Sequence, residues 1–245
     1  MTLHHRIDGE KEKLVVLAGS VGSTLDMWEP QLPSLTPHFR VLRYDHPGHG
    51  GSPLLETRSV TALVRELIVL LDQLELRSFS FCGLSLGGAV GMRLALDLPE
   101  RVERLVLCST SARFATPDFW EERADTVRRQ GVEAVVDVVL ERWFTPSFAD
   151  LRRYREMLLS IPAEGYARCC EALRDWDARG RLGGIAAPTL AVAGADDPST
   201  PPRELDAIAA EIPSARVHVL DGARHLANVE RSEPFNEALL AHLVA

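Results

Sequence analysis

The run Gly83-Leu84-Ser85-Leu86-Gly87 sets one serine between two glycines in a G-x-S-x-G pattern. Such a serine is a candidate nucleophile for attack on an acyl carbon, provided a base takes its proton. An apolar run, Ser78–Cys82, precedes the pattern, and a helix-like segment with apolar Ala89, Val90, Met92, Leu94 and Ala95 follows it. Strand, tight turn and helix are the context this turn requires. The backbone is sharp there, so glycines must flank the serine. The turn lifts the hydroxyl off the sheet and aims the Leu86 N–H, at a helix N-terminus, at the space beside it.

The base is sought among eight histidines. His4 and His5 are expected in an exposed amino terminus, His38 in a polar loop, His218 in a strand and His242 in the last helix; each reads as a surface or core residue. His46 and His49 lie in the glycine-rich stretch Asp45–Ser52, which could line a cleft or be a turn and nothing more. His225 differs. It follows the strand Val217–Leu220 in a loop before the last helix, and loops at the carboxyl ends of strands hold the ligand site of a doubly wound sheet. Asp197, in Gly194-Ala-Asp-Asp197-Pro after the strand Thr189–Ala193, sits at another such end. Its neighbour Asp196 competes for the same role; the spacing from Gly194 and the following proline favour Asp197, while a plain turn is the other reading. Ser85, Asp197 and His225 then occur in the order Ser…Asp…His. An oxyanion formed at Ser85 needs two donors. Leu86 N–H is one, and the loop Ala18-Gly-Ser20-Val21-Gly22 offers Ser20 or Val21 as the other.

These residues need a scaffold that brings strand ends together. Runs at Leu14–Leu17, Val41–Tyr44, Ser78–Cys82, Leu105–Cys108, Thr189–Ala193 and Val217–Leu220 read as strands, several of them apolar on consecutive residues as in buried parallel sheets. Helical segments alternate with them. The clearest spans about 60–74, where Val60, Leu63, Val64, Leu67, Ile68, Leu71 and Leu74 make one apolar stripe. The expected class is α/β, a mostly parallel sheet wrapped by helices. Between 116 and 182 the alternation stops in favour of a helical, arginine- and glutamate-rich stretch holding three of the four tryptophans. This predicts a core of residues 1–115 and 183–245 and a helical insertion of residues 116–182.

Composition narrows the function classes. With 245 residues, 46% hydrophobic and 25% charged, the chain fits a globular domain that needs no staple. A net charge of −8 offers no footprint for nucleic acid or an anionic membrane surface. No stretch approaches 18 uninterrupted apolar residues, and the amino terminus shows no secretory h-region. Four cysteines without C-x-x-C spacing point to a reducing compartment and no zinc site.

Taken together, these features resemble the α/β-hydrolase superfamily over nearly the whole chain, and within it the 3-oxoadipate enol-lactonase family. The closer likeness lies in Arg43–Ser52, Arg142–Pro146, Glu164–Cys170 and Gly194–Pro202; the two middle segments resemble that family's cap. Gly19-Ser20 stands where those enzymes often carry a pair such as Asn-Ser. The resemblance implies a small anionic lactone as substrate, Ser85 as nucleophile, His225 as general base and Asp197 as its orienting acid. It implies no metal or organic cofactor, and a cytoplasmic setting. A carboxylate on the substrate calls for a cation, and Arg142 beside Trp143 is the candidate, with a solvated helix charge as the alternative. Trp120 and Trp176 are read as cementing the cap to the core. Other carboxylesterases, lactonases and cofactor-free perhydrolases share such a triad, and a non-catalytic binder could share the fold. Aspartate is the nucleophile in haloalkane dehalogenases and epoxide hydrolases, so Ser85 disfavours both. Oligomeric state is not written in the sequence.

Overall fold

The computed structural model describes residues 2–245. Strands β2 (Leu14–Ala18), β4 (Phe79–Leu84) and β6 (Thr189–Gly194) are buried along their whole length, as continuous apolar runs must be when helices cover both faces. With β1 (His5–Asp8), β3 (Arg40–Tyr44), β5 (Val102–Cys108) and β7 (Ala215–Leu220) they form one sheet in the order β1-β3-β2-β4-β5-β6-β7. All pairings are parallel except that of β1 with β3. The sheet is the α/β arrangement expected.

β1 corrects the expectation that His4 and His5 lie in an exposed amino terminus: both are half-buried. His5 pairs with Tyr44 and Asp8 with Val41, the Arg43 guanidinium holds Asp8 at 2.8 Å, and His4 Nδ1 lies 2.6 Å from Asp45 Oδ2.

Three helices of the core matter here: α1 (Val60–Gln73), α2 (Leu86–Asp97), which leaves β4 directly, and α7 (Pro202–Glu211). Ser59 caps α1, its hydroxyl accepting from Ala62 N–H at 3.2 Å, and Leu63, Val64, Leu67 and Leu71 of the expected stripe are buried. The last helix, α8 (Ser232–Val244), packs Phe235 against Trp28 with ring centroids 6.4 Å apart.

Between β5 and β6 the chain forms α3 (Pro117–Gln130), α4 (Val136–Trp143), α5 (Leu151–Leu159) and α6 (Ala163–Arg174). α3 and α6 pack on each other, and Ala124, Val127, Ala167 and Cys170 of the pair are buried. Charge fastens this pair to the core: Arg58 meets Glu171 at 2.7 Å, Arg128 meets Glu164 at 2.7 Å and Glu171 at 2.8 Å, and Arg168 reaches Glu56 and Glu164 at 2.8 Å. The hydrogen bond from Arg128 leads the effects that hold Glu164 down at about 2. At one point α6 touches the core backbone to backbone. A Cβ on Gly165 would lie 2.1 Å from the carbonyl oxygen of Gly48, itself at φ +73°. All four cysteines are buried and free. No helix among the described residues is long and apolar enough to cross a membrane.

Candidate active site

β2 and β4 are neighbours, but the strands between them in sequence and after them lie on opposite sides, so the sheet order reverses there. A crevice opens at the carboxyl ends of strands at such a point. The loop after β2 carries Ser20 and Val21, and the turn after β4 carries Ser85; all three line one cavity of about 580 Å³, part of it open to solvent.

Ser85 has φ 58° and ψ −111°, a backbone setting that costs a non-glycine residue about 1–3 kcal/mol. The surroundings over-determine it. Ser85 N–H donates to the Cys108 carbonyl at 2.9 Å, and the Ser85 carbonyl accepts from Thr110 Oγ1 at 2.8 Å. A Cβ on Gly83 would lie 2.0 Å from the Gly87 carbonyl oxygen, and one on Gly87 2.2 Å from that of Ala18. Both glycines of the motif are therefore required by close approach of backbone.

Leu86 opens α2, and the first N–H groups of a helix have no partner within it. In the β2 loop, Gly22 N–H donates to His49 Nε2 at 3.1 Å and Ser23 N–H to the Ser20 carbonyl at 3.2 Å. Among the described residues no hydrogen bond takes up the amides of Ser20 and Val21, and both residues line the cavity. The loop is held from below: His46 Nε2 donates to the Gly19 carbonyl at 2.9 Å, and that carbonyl also accepts from Gly87 N–H at 3.0 Å. His46 and His49 thus lie under the loop, fully buried. Burial lowers both from the ordinary histidine value, His49 to about 3, so both rings are neutral at neutral pH. Their support of the β2 loop was not visible in the sequence, where only the glycines around them stood out.

His225 Nδ1 donates to Asp197 Oδ2 at 2.8 Å. Asp197 also accepts from Ser199 N–H at 2.8 Å, from Thr200 N–H at 3.2 Å and from Thr200 Oγ1 at 2.7 Å. Burial pushes its carboxyl up, but the nearby His225 and these hydrogen bonds outweigh it and leave the group below the usual carboxylate range. Asp196 is exposed, so of the two competing aspartates the structure brings Asp197 to His225. The Asp197 and His225 loops are stitched together by Ala195 N–H to Leu220 O at 2.9 Å and Asp196 N–H to Ala223 O at 3.0 Å. His225 lines the cavity with Ser85; among the described residues no hydrogen bond joins their side chains, a contact that often tightens only when substrate binds.

The inserted helices close the cavity with Phe119, Trp120 and Arg123 from α3, Arg142 and Trp143 from α4, and Tyr166 from α6. The structure thus brings both Arg142 and Trp143 to Ser85's cavity, Trp143 at 3% exposure. Trp120 lines the cavity as well, rather than only cementing the insertion. Trp176 does the cementing, donating from its indole N–H to the Ser111 carbonyl at 3.1 Å. Arg123 was not singled out among the arginines of the sequence; only its place in the cavity distinguishes it.

The alpha/beta hydrolase fold model matches residues 13–232. The chain belongs to the α/β-hydrolase family. This hydrolase is 34% identical to 3-oxoadipate enol-lactonase 2 of Acinetobacter baylyi over 98% of its own length and 92% of that protein's. It is 30% identical to a protein of Agrobacterium fabrum that carries the name carbamate hydrolase RutD, over 99% of its length and 97% of that protein's. Among solved structures it superposes on the enol-lactonase from Burkholderia xenovorans LB400 with a TM-score of 0.96, at 38% identity, covering 99% and 96% of the two chains.

Proposed function

We propose that this hydrolase opens the ring of 3-oxoadipate enol-lactone through an acyl-enzyme on Ser85. The observation that carries the reading is the shared cavity: an elbow serine, a histidine bonded to a buried carboxylate, and the guanidinium of Arg142 with no carboxylate partner within it. The enol-lactonase relatives support the choice of ester.

In this reading His225 takes the Ser85 proton as Oγ attacks the lactone carbonyl, and the N–H groups of Leu86 and of Ser20 or Val21 receive the oxyanion. Asp197 fixes the tautomer, since its oxygens can only accept from Nδ1–H and so leave Nε2 as the base. Collapse breaks the ring C–O bond, His225 returns the proton to the enol oxygen, and the enol becomes a ketone. The leaving group stays tethered because the ester is cyclic. His225 then activates water to free the new carboxylate from Ser85. Arg142, beside Trp143, holds the carboxylate arm of the substrate. No metal or organic cofactor enters these steps. Aromatic catabolism in the cytoplasm is the setting that goes with this substrate.

The test is hydrolysis of freshly generated enol-lactone, followed by loss of ultraviolet absorbance, with wild type and Ser85→Ala side by side. Turnover by wild type alone is expected. Turnover of p-nitrophenyl acetate without turnover of the lactone would discard this substrate while keeping the serine. Carbamate hydrolysis is the second reading, favoured by the RutD relatives at nearly the same identity. Release of ammonia from carbamate, absent with Ser85→Ala, would select it.

A further inference from the structure

The helices between β5 and β6 are rich in arginine, and almost all of it is spent on ion pairs. Arg128, Arg129, Arg152, Arg153, Arg155, Arg168, Arg174 and Arg179 each have a carboxylate within 3.8 Å. Among the described residues of the insertion, three arginines have none. Arg181 stands exposed in water; the other two, Arg123 and Arg142, are half-buried in the cavity that holds Ser85.

Those two are neighbours. The Arg123 guanidinium lies 4.8 Å from the centre of the Phe119 ring and that of Arg142 lies 5.6 Å from the same ring. Phe119 and Arg123 are one turn apart on α3, which places the guanidinium over the ring. Burial lowers the pKa of Arg142, and the charge of Arg123 lowers it further. Arg123 also stands close enough to the buried Tyr166 to counter the upward push of burial on that phenol. The Asp197 charge offsets part of this at Arg142, but neither guanidinium has a carboxylate in ion-pair contact, so two like charges, partly stripped of water, face one chamber and raise the energy of the empty site. The face of Phe119 returns only a fraction of that, since a cation over an aromatic ring is a weak substitute for a carboxylate.

We propose that Arg123 and Arg142 together form a subsite for a carboxylate at the far end of the acyl chain, and that Arg123 is a specificity-determining residue. Arg142 alone would balance one negative charge; the second guanidinium makes the chamber select for it. A neutral ester of the same length leaves two cations uncompensated and desolvates them further, so it is rejected by the same groups that draw in the anionic one. The proposal rests on the reading of Ser85 as the nucleophile. It does not depend on the ester being a lactone.

The test compares two chromogenic esters of equal acyl length, mono-p-nitrophenyl adipate and p-nitrophenyl hexanoate, with wild type, Arg123→Gln and Arg123→Lys. Wild type should prefer the anionic ester in kcat/KM. Arg123→Gln should cut that preference at least tenfold through a higher KM for the anionic ester, and should weaken competitive inhibition by adipate to the same extent. Arg123→Lys should recover part of both. A preference that stays the same in Arg123→Gln, or two esters that lose activity in parallel, would overturn the proposal. If the lactone is not turned over but the adipate ester loses its advantage in Arg123→Gln, the subsite stands and the lactone assignment falls. If the lactone is turned over equally by wild type and Arg123→Gln, the lactone assignment stands and the subsite falls.

Discussion

The backbone N–H of His225 donates to the carbonyl oxygen of Arg142 at 3.3 Å. Next to it, Leu226 N–H donates to the Trp143 carbonyl at 3.1 Å, so the end of α4 and the His225 loop run side by side like two short strands. One carboxylate ties the seam. Glu230 accepts from Thr145 N–H at 2.7 Å through one oxygen and from Arg224 N–H at 2.8 Å through the other. The residue offered as base and the residue offered as substrate cation therefore share one rigid unit.

Glu230→Gln should loosen that unit. The amide can accept on one side only, and its NH2 faces a backbone N–H on the other. A charge-assisted hydrogen bond of this kind is worth about 1.5–3 kcal/mol, so unfolding by urea should show a loss in that range. Because Arg142 and His225 move apart together with the seam, kcat/KM for the anionic substrate should fall about tenfold or more. A stability loss with unchanged kcat/KM would reduce Glu230 to a purely structural tie.

Asp197→Asn should leave the fold in place and lower kcat by about a thousandfold or more, with little change in KM. The side-chain amide would turn its NH2 away from Ser199 and Thr200 N–H, whose bonds at 2.8 and 3.2 Å need an acceptor, and so face it toward His225. The imidazole would then adopt the other tautomer. Steady-state kinetics on p-nitrophenyl acetate suffices as the readout.

Acid should weaken the protein through His49. Its folded value, about 3, lies below the unfolded value near 6.5, so between those limits the unfolded chain binds a proton that the native one refuses. Its contribution is complete above about pH 6.5 and is lost as pH falls toward 3, at about 1.4 kcal/mol per pH unit for one such group. His46 is displaced in the same direction and adds to the slope. His49→Gln keeps an acceptor for Gly22 N–H and removes the titration. Its stability, measured by urea unfolding from pH 7 to pH 4, should fall less steeply than that of wild type.

Gly88→Ala should disturb the nucleophile from behind. The added methyl would lie 2.5 Å from Thr110 Cβ and Oγ1, and that hydroxyl holds the Ser85 carbonyl. Forcing a methyl group into a packed site costs about 1–3 kcal/mol. A lower Tm together with a lower kcat is expected, and a Tm shift with native kcat would show that the turn tolerates the displacement of Thr110.

The parts of this molecule that were legible in the sequence are those fixed locally. The elbow was readable because backbone contact at Gly83 and Gly87 dictates residue type, and the β4 and β6 runs because burial on both faces forbids polar alternation. β1 was not readable: His-Arg-Ile-Asp is short and charged, and it becomes a strand only because β3 offers an open edge. Arg123 could not be told from the other arginines, because what sets it apart is the lack of a carboxylate that only the folded chain could have supplied. For His46 and His49, the sequence left cleft and turn open; burial beneath Gly19 and Gly22 decided it.

The contact between Gly48 and Gly165 has a bearing on traffic. There α6 rests on a core loop with no side chain between, and on the far side the seam at Arg142–Thr145 fastens α4 to the His225 loop. For the inserted helices to swing, both sets of contacts would have to break. Phe114, Phe119 and Trp120 also line the chamber, and their rings are half-exposed. Rotamer changes of such side chains take nanoseconds, far shorter than a hinge motion. Access that needs only these rings to turn would leave the inserted helices where they are.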